Sequence, residues 1–145
     1  MSNYRNILVA VDFSDASNTV VQRAIDIAQR NNTQLTLLHV VEYMPPMDIA
    51  YEPVPTIAWI DEEALIKRAK SSLEKFCTEH KLVNEKQVVL LGAPKLEICQ
   101  YARDKHCDLI ILGSHGRHGI QLLLGSTANG VLHDMPCDVL AVKLN

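Results

Sequence analysis

An α/β fold, a five-stranded parallel sheet with helices on both faces, is predicted by three features of the 145-residue sequence. Its strand candidates are unbroken apolar runs, such as Leu109-Ile-Ile-Leu112, which suit strands covered on both faces. Between successive runs lies a stretch with apolar residues three and four positions apart, so each crossover carries a helix, and helical crossovers demand parallel strands. After the fourth run come three regularly spaced glycines, Gly113, Gly116 and Gly119, and then Gly125-Ser126 at the start of another helix. Glycines let a ligand approach bare backbone, and a helix N-terminus offers free N–H groups at the positive end of a dipole. Strand, glycine loop and helix together make a seat for phosphate. The plain alternative is a glycine-rich turn that binds nothing.

The elements follow in the order β-α-β-α-β-α-β-α-β. Residues 6–11 read as a buried strand that ends at Asp12-Phe13-Ser14, with Ser14, Asp15 and Ser17 as candidate caps of the next helix. That helix carries Val20, Val21, Ala24, Ile25 and Ala28 on one face and stops at Asn31-Asn32. Residues 34–41 form the second strand. Residues 42–60 hold four of the six prolines, Pro45, Pro46, Pro53 and Pro55, and read as a long loop. Asp61 caps the second helix, whose apolar face is Ala64, Leu65, Ala69, Leu73 and Phe76 and which ends near His80. Residues 87–91 are the third strand, and Pro94 after Gly92-Ala93 suits the first position of the third helix, with Ile98, Cys99 and Ala102 facing inward. The fourth strand and glycine loop lead to the Ser126 helix. Gly130 weakens that helix by about 1 kcal/mol relative to alanine, and Pro136 stops it. Residues 137–144 are the fifth strand.

The totals limit the function classes. Hydrophobic residues make up 48% and charged residues 21%, as in ordinary globular chains, and the length fits a single domain over 1–145. A net charge of −3 provides no basic surface for nucleic acid or anionic membrane. No run approaches the roughly 18 apolar residues of a membrane span, and Met-Ser-Asn-Tyr-Arg-Asn leads into a strand without a signal-peptide core. Cys77, Cys99, Cys107 and Cys137 form no Cys-x-x-Cys pair and read as small core fillers. A reduced, cytoplasmic protein is expected.

Known glycine codes narrow the chemistry. A P-loop requires Gly-Lys-Ser/Thr, and no lysine lies between Lys105 and Lys143. The dinucleotide code Gly-x-Gly-x-x-Gly is absent, and it belongs after a first strand. His115 and His118 lack the cysteines or acids of a zinc set. Ser114-His115 lacks an orienting acid for a nucleophile pair. His39 and His133 read as satisfied structural residues. The third strand ends Leu91-Gly92-Ala93 without the aspartate of a phosphorelay receiver, and Phe13-Ser14-Asp15 stands where a nucleotidyl transferase would carry His-x-Gly-His.

From Ile7-Leu-Val-Ala-Val-Asp12 to Pro136-Cys-Asp-Val-Leu-Ala-Val142, the whole chain resembles the universal stress protein family. The family's nucleotide signature is Gly, two residues, Gly, nine residues, then Gly-Ser/Thr. Gly113, Gly116 and Gly125-Ser126 match it, with eight residues in the second interval. The resemblance implies a Rossmann-like fold of the adenine nucleotide alpha hydrolase kind, with strand order 3-2-1-4-5. That order would bring Asp12 and Gly113 together where the first and fourth strands diverge, the place where such sheets bind ligands.

The resemblance also implies a ligand set. Ala10, Val11, Asp12 and Val40 match adenine and ribose contacts; Gly113, Gly116, Gly125 and Ser126 match phosphate and ribose contacts, with Thr127 and Ala128 beside them. Leu112 would wall the base, and Arg117 is the loop's only permanent cation, so Mg²⁺ carried by the nucleotide would share the neutralisation. The plain reading of Asp12 is a cap on the first helix. Two function classes stay open: a module regulated by ATP, ADP or AMP, and a family member that acts only as a dimeric interaction protein. No general base is assignable, so slow ATP hydrolysis is the most enzymatic activity expected. The apolar strand over 138–144 falls at the implied sheet edge, where pairing with a second copy would cover it.

Overall fold

In a computed structural model of the chain, residues 3–43, 61–114 and 126–144 are described. Among them run β1 (Ile7–Ala10), α1 (Ala16–Asn31), β2 (Leu35–Glu42), α2 (Glu62–Glu79), β3 (Lys86–Gly92), α3 (Pro94–Asp104), β4 (Leu109–Gly113), α4 (Ser126–Asp134) and β5 (Asp138–Val142). The strands make one parallel sheet in the order β3-β2-β1-β4-β5.

Strand alternation sends side chains to two apolar layers. Ile7, Val9, Leu35, Leu37, Leu109 and Ile111 pack with Val20, Val21 and Ala24 of α1 and Leu73, Phe76 and Cys77 of α2. Leu8, Leu38, Ile110 and Leu112 pack with Ile98, Cys99 and Ala102 of α3 and Ala128 and Val131 of α4. Burial on both faces is the physical reason for the unbroken apolar runs.

Element ends depart from the sequence expectations in informative ways. The expected loop over 42–60 gives up Glu42, which pairs with Gly92 as β2 and β3 extend each other; residues 44–60 lie outside the described residues. Asp61 caps α2 as expected, its Oδ1 accepting from the Ala64 N–H at 3.2 Å. Ala64 itself is exposed, one turn too early to reach the core. Asn32 closes α1 in the left-handed conformation, its N–H bonded to the Ala28 and Gln29 carbonyls. None of the expected serine caps serves α1 in that role: the capping position is Asp15, without a side-chain bond, and Ser17 is buried inside the first turn.

Two glycines are set by close approach. Gly92 holds φ at +150°, and a Cβ there would lie 2.7 Å from Glu97 Oε1. At Gly130 a Cβ would lie 2.5 Å from the Lys95 Cδ. That closeness lets the lysine stem cross α4 and reach Asp134, Nζ to Oδ2 at 3.1 Å, so the helix-weakening glycine is repaid in α3–α4 packing. The hydrogen bond and charge of Lys95 lower the Asp134 pKa.

All four cysteines are free thiols. Cys77, Cys99 and Cys107 are buried and Cys137 is half-buried, as fits core filling. Burial pushes the Cys77 thiol from its ordinary 9.0 up to about 11, with the Glu85 charge adding to the shift. Between those values the unfolded chain has released a proton that the folded chain keeps, so stability falls as pH rises. The expected slope is about 1.4 kcal/mol per pH unit for this thiol. Urea midpoints between about pH 8 and pH 11 should therefore fall less steeply for Cys77→Val than for the parent.

Candidate functional site

The site begins where β1 parts from β4. The two strands pair through Ile7↔Leu109, Leu8↔Ile110 and Val9↔Ile111, and there the pairing stops. On its other side β1 stays with β2, through Ala10↔Leu38 and a Val11 N–H bond to the Leu38 carbonyl at 2.9 Å. β4 runs on beside β5 as far as Gly113↔Val142. From this divergence the chain leaves β1 for α1 on one face, and it leaves β4 for α4 on the other. A crevice at the carboxyl ends of the strands is the geometric result.

The sequence-derived residues distribute themselves around that crevice unequally. Leu112 and Ala128 are buried in the α3/α4-side layer, 3% and 2% exposed, with Ala10 and Val40 packed against the same layer. α4 packs chiefly on α3 and beside β5, with Ala128 of its first turn buried in the same layer as Leu112. Gly113, ending β4, and Thr127, in that first turn, are both partly exposed. Ser126 begins the helix. Gly116, Arg117 and Gly125, with His115, His118 and Gly119, lie outside the described residues.

Val11 points the other way. Its side chain belongs to the α1/α2-side layer. Both of its backbone polar groups are used by β2, the N–H by Leu38 and the carbonyl by His39 Nδ1 at 2.8 Å.

Asp12 is held firmly. Its Oδ1 accepts from the Ser14 N–H at 3.0 Å, the Ser14 hydroxyl at 2.5 Å and the Ser17 hydroxyl at 2.8 Å. Its own N–H donates to Ser17 Oγ at 3.1 Å. The carboxylate thus ties the end of β1 to the first turn of α1 through Ser17, whereas the capping position that the sequence suggested for it belongs to Asp15. Ser17, expected as a cap, instead serves this carboxylate. A serine two and five residues after an aspartate at a strand end is the signal that would have identified the cluster.

Other residues settle into structural roles. Ser114 donates its N–H to the Val142 carbonyl at 2.9 Å, and its hydroxyl oxygen accepts from the Leu144 N–H at 3.3 Å, so it secures β5 to β4. His39 is satisfied as expected, whereas His133 is exposed in the last turn of α4. Among the described residues there is no group of three or more His, Cys, Asp or Glu that could hold a metal ion. No described helix is long and apolar enough to cross a membrane.

Comparison with known proteins agrees with this architecture. A profile of the universal stress protein family matches residues 3–143. The chain is 40% identical over 146 residues to universal stress protein A homolog 2 of Coxiella burnetii, covering 99% of this chain and 98% of that protein. Among solved structures, universal stress protein UspA of Lactobacillus plantarum is similar at 33% identity and a TM-score of 0.74, covering 98% and 99% of the two chains. Two more distant structures share the fold. One is a universal stress protein in complex with cAMP (24% identity, TM-score 0.64, 98% of each chain). The other, from Archaeoglobus fulgidus, is in complex with dAMP (20% identity, TM-score 0.65, 98% and 100%). With a family profile spanning nearly all of its length and a sheet in the order β3-β2-β1-β4-β5, the chain belongs to the universal stress protein family.

Proposed function

We propose that this chain is an adenine-nucleotide-binding regulatory module of the stress response, and that ATP, ADP or AMP occupies the β1/β4 crevice. The observation that carries the reading is the parting of β1 and β4 after Val9↔Ile111, a divergence at the carboxyl ends with Asp12 just beyond one strand and Gly113 ending the other. The cAMP and dAMP complexes of two family members support the ligand class.

The fit is chemical. Ala10 and Gly113 leave room for close approach, Leu112, Val40 and Ala128 supply apolar surface for a base, and the N-terminus of α4 at Ser126 brings the first N–H groups of a helix to the phosphate side. Asp12 is the ribose partner in this reading, already oriented by its serines. Thr127, with Gly116, Arg117, Gly125 and nucleotide-borne Mg²⁺, completes the phosphate side. Val11 contributes through the position it gives Asp12, since its own polar groups are engaged by β2. The role is regulatory, in a reducing cytoplasm, over one domain spanning 1–145.

Calorimetric titration of nucleotide-free protein with Mg-ATP and with AMP tests the reading. Gly113→Val is expected to weaken binding at least about tenfold by adding bulk at the β4 exit. Equal affinity in parent and variant would remove the ligand from this crevice. A parent that binds no adenine nucleotide would leave a protein acting through interactions alone.

The second part of the proposal is a homodimer through 138–144. β5 is an edge of the sheet, with Val139, Leu140 and Ala141 only half-buried. A second copy would cover those apolar residues and the open ladder. Light scattering at micromolar concentration is expected to give twice the chain mass; a monomer mass contradicts it.

A further inference from the structure

We infer that His39 is a positioning residue for the nucleotide crevice, because it holds both neighbours of Asp12 in place. The role rests on the adenine-nucleotide reading of the crevice and adds to it a residue that never faces the ligand.

His39 follows Leu38 in β2 and shares its ring contact with the α1/α2-side residues Phe13 and, through Phe13, Phe76. Its Nδ1 lies 2.8 Å from the Val11 carbonyl oxygen. A carbonyl only accepts, so Nδ1 carries the proton and donates. With the Val11 N–H bonded to the Leu38 carbonyl, consecutive residues of β2 fix both polar groups of Val11.

On the other side of Asp12 stands Phe13, with φ at +63°. A bulky side chain rarely adopts that left-handed conformation, and it persists only where its surroundings hold it. The hold is visible. The Phe13 ring lies on the His39 imidazole, centroids 4.2 Å apart at 33°, and meets Phe76 at 6.1 Å and 60°. The reversal at Phe13 swings the chain so that Ser14 and Ser17 reach back to Asp12 Oδ1. One imidazole thus fixes the residue before the carboxylate by a hydrogen bond and the residue after it by ring contact. Displacement of either flank moves the carboxylate relative to Gly113, and with it the ribose contact.

Two variants test the two holds one at a time. His39→Leu keeps apolar bulk against Phe13 and loses the donor; His39→Asn keeps an N–H at the δ position. Melting curves establish that each is folded, and calorimetry with AMP reads the effect. His39→Leu, which loses the hydrogen bond to Val11, is expected to weaken AMP binding about fivefold, and His39→Asn, which keeps a donor but loses the ring contact that holds Phe13, about as much. If either variant binds AMP like the parent, the hold on that flank is overturned. If the parent binds no AMP, the crevice reading fails and this role with it. In the parent itself, long-range proton–nitrogen correlation reads which ring nitrogen carries the proton: Nδ1–H is expected, and a tautomer protonated only at Nε2 overturns the assignment whatever the variants do.

Discussion

Replacing Asp12 by alanine is expected to lower the melting temperature by about 5–12 °C and to abolish nucleotide binding together with it. The first effect comes from the fold. Oδ1 accepts three hydrogen bonds, from the Ser14 N–H and the hydroxyls of Ser14 and Ser17, in a partly buried cluster. Removing the acceptor leaves those donors without it, at a cost of about 2–4 kcal/mol, moderated because the site is only partly shielded from water. The second effect follows from the ribose contact proposed for Asp12. Asp12→Asn separates the two, since it retains an oxygen for the serines but puts a donor where the second carboxylate oxygen stood. It should melt within a few degrees of the parent and still bind nucleotide weakly. Thermal melts and titrations on both variants check this; an Asp12→Ala protein as stable as the parent would contradict the serine cluster's role.

Leu8→Ala is expected to destabilise the fold by about 3–5 kcal/mol, a large share of the roughly 5–15 kcal/mol available to a domain. Leu8 is 0% exposed and lies in β1, the middle strand, among Leu38, Ile98 and Ile110. Pairing to strands on both sides leaves β1 little room to move into the vacated space. Val83→Ala, at a side chain 75% exposed, is the matched control and should change stability by less than about 0.5 kcal/mol. Urea unfolding of both variants provides the comparison.

The architecture was legible because burial on both faces writes a simple pattern. A run such as Leu109-Ile-Ile-Leu112 has no polar alternation to confuse it with a surface strand, and α1 and α3 carry narrow apolar faces. Strand order was not in the periodicity, since any order of parallel strands buries the same residues; it came from the resemblance. Where β2 and β3 end was hidden too. Glu42 and Gly92 are polar or featureless alone, and they become strand only by pairing with each other.

The candidate site was half legible. Asp12 and Gly113 announce themselves as strand ends beside a helix start and a glycine series. The Phe13 reversal did not, because left-handed backbone is expected of glycine or asparagine and here depends on ring contacts with His39 and Phe76. His39 sits within an apolar strand and reads as a satisfied core residue. Only its distance to the Val11 carbonyl reveals what it holds. Ser17 looked like a helix cap, and its proximity to Asp12 emerges only when the chain turns at Phe13.

Adenine-nucleotide occupancy of the β1/β4 crevice is the central claim, and a melting scan with Mg-ATP on protein freed of copurified nucleotide tests it most directly. Ligand at about a hundred times its dissociation constant adds roughly 2.7 kcal/mol to the folded state, which raises the melting temperature by about 5–10 °C in a domain of this size. That rise is expected with Mg-ATP, absent with GTP, and lost in Gly113→Val. An unchanged melting temperature in millimolar Mg-ATP would contradict it.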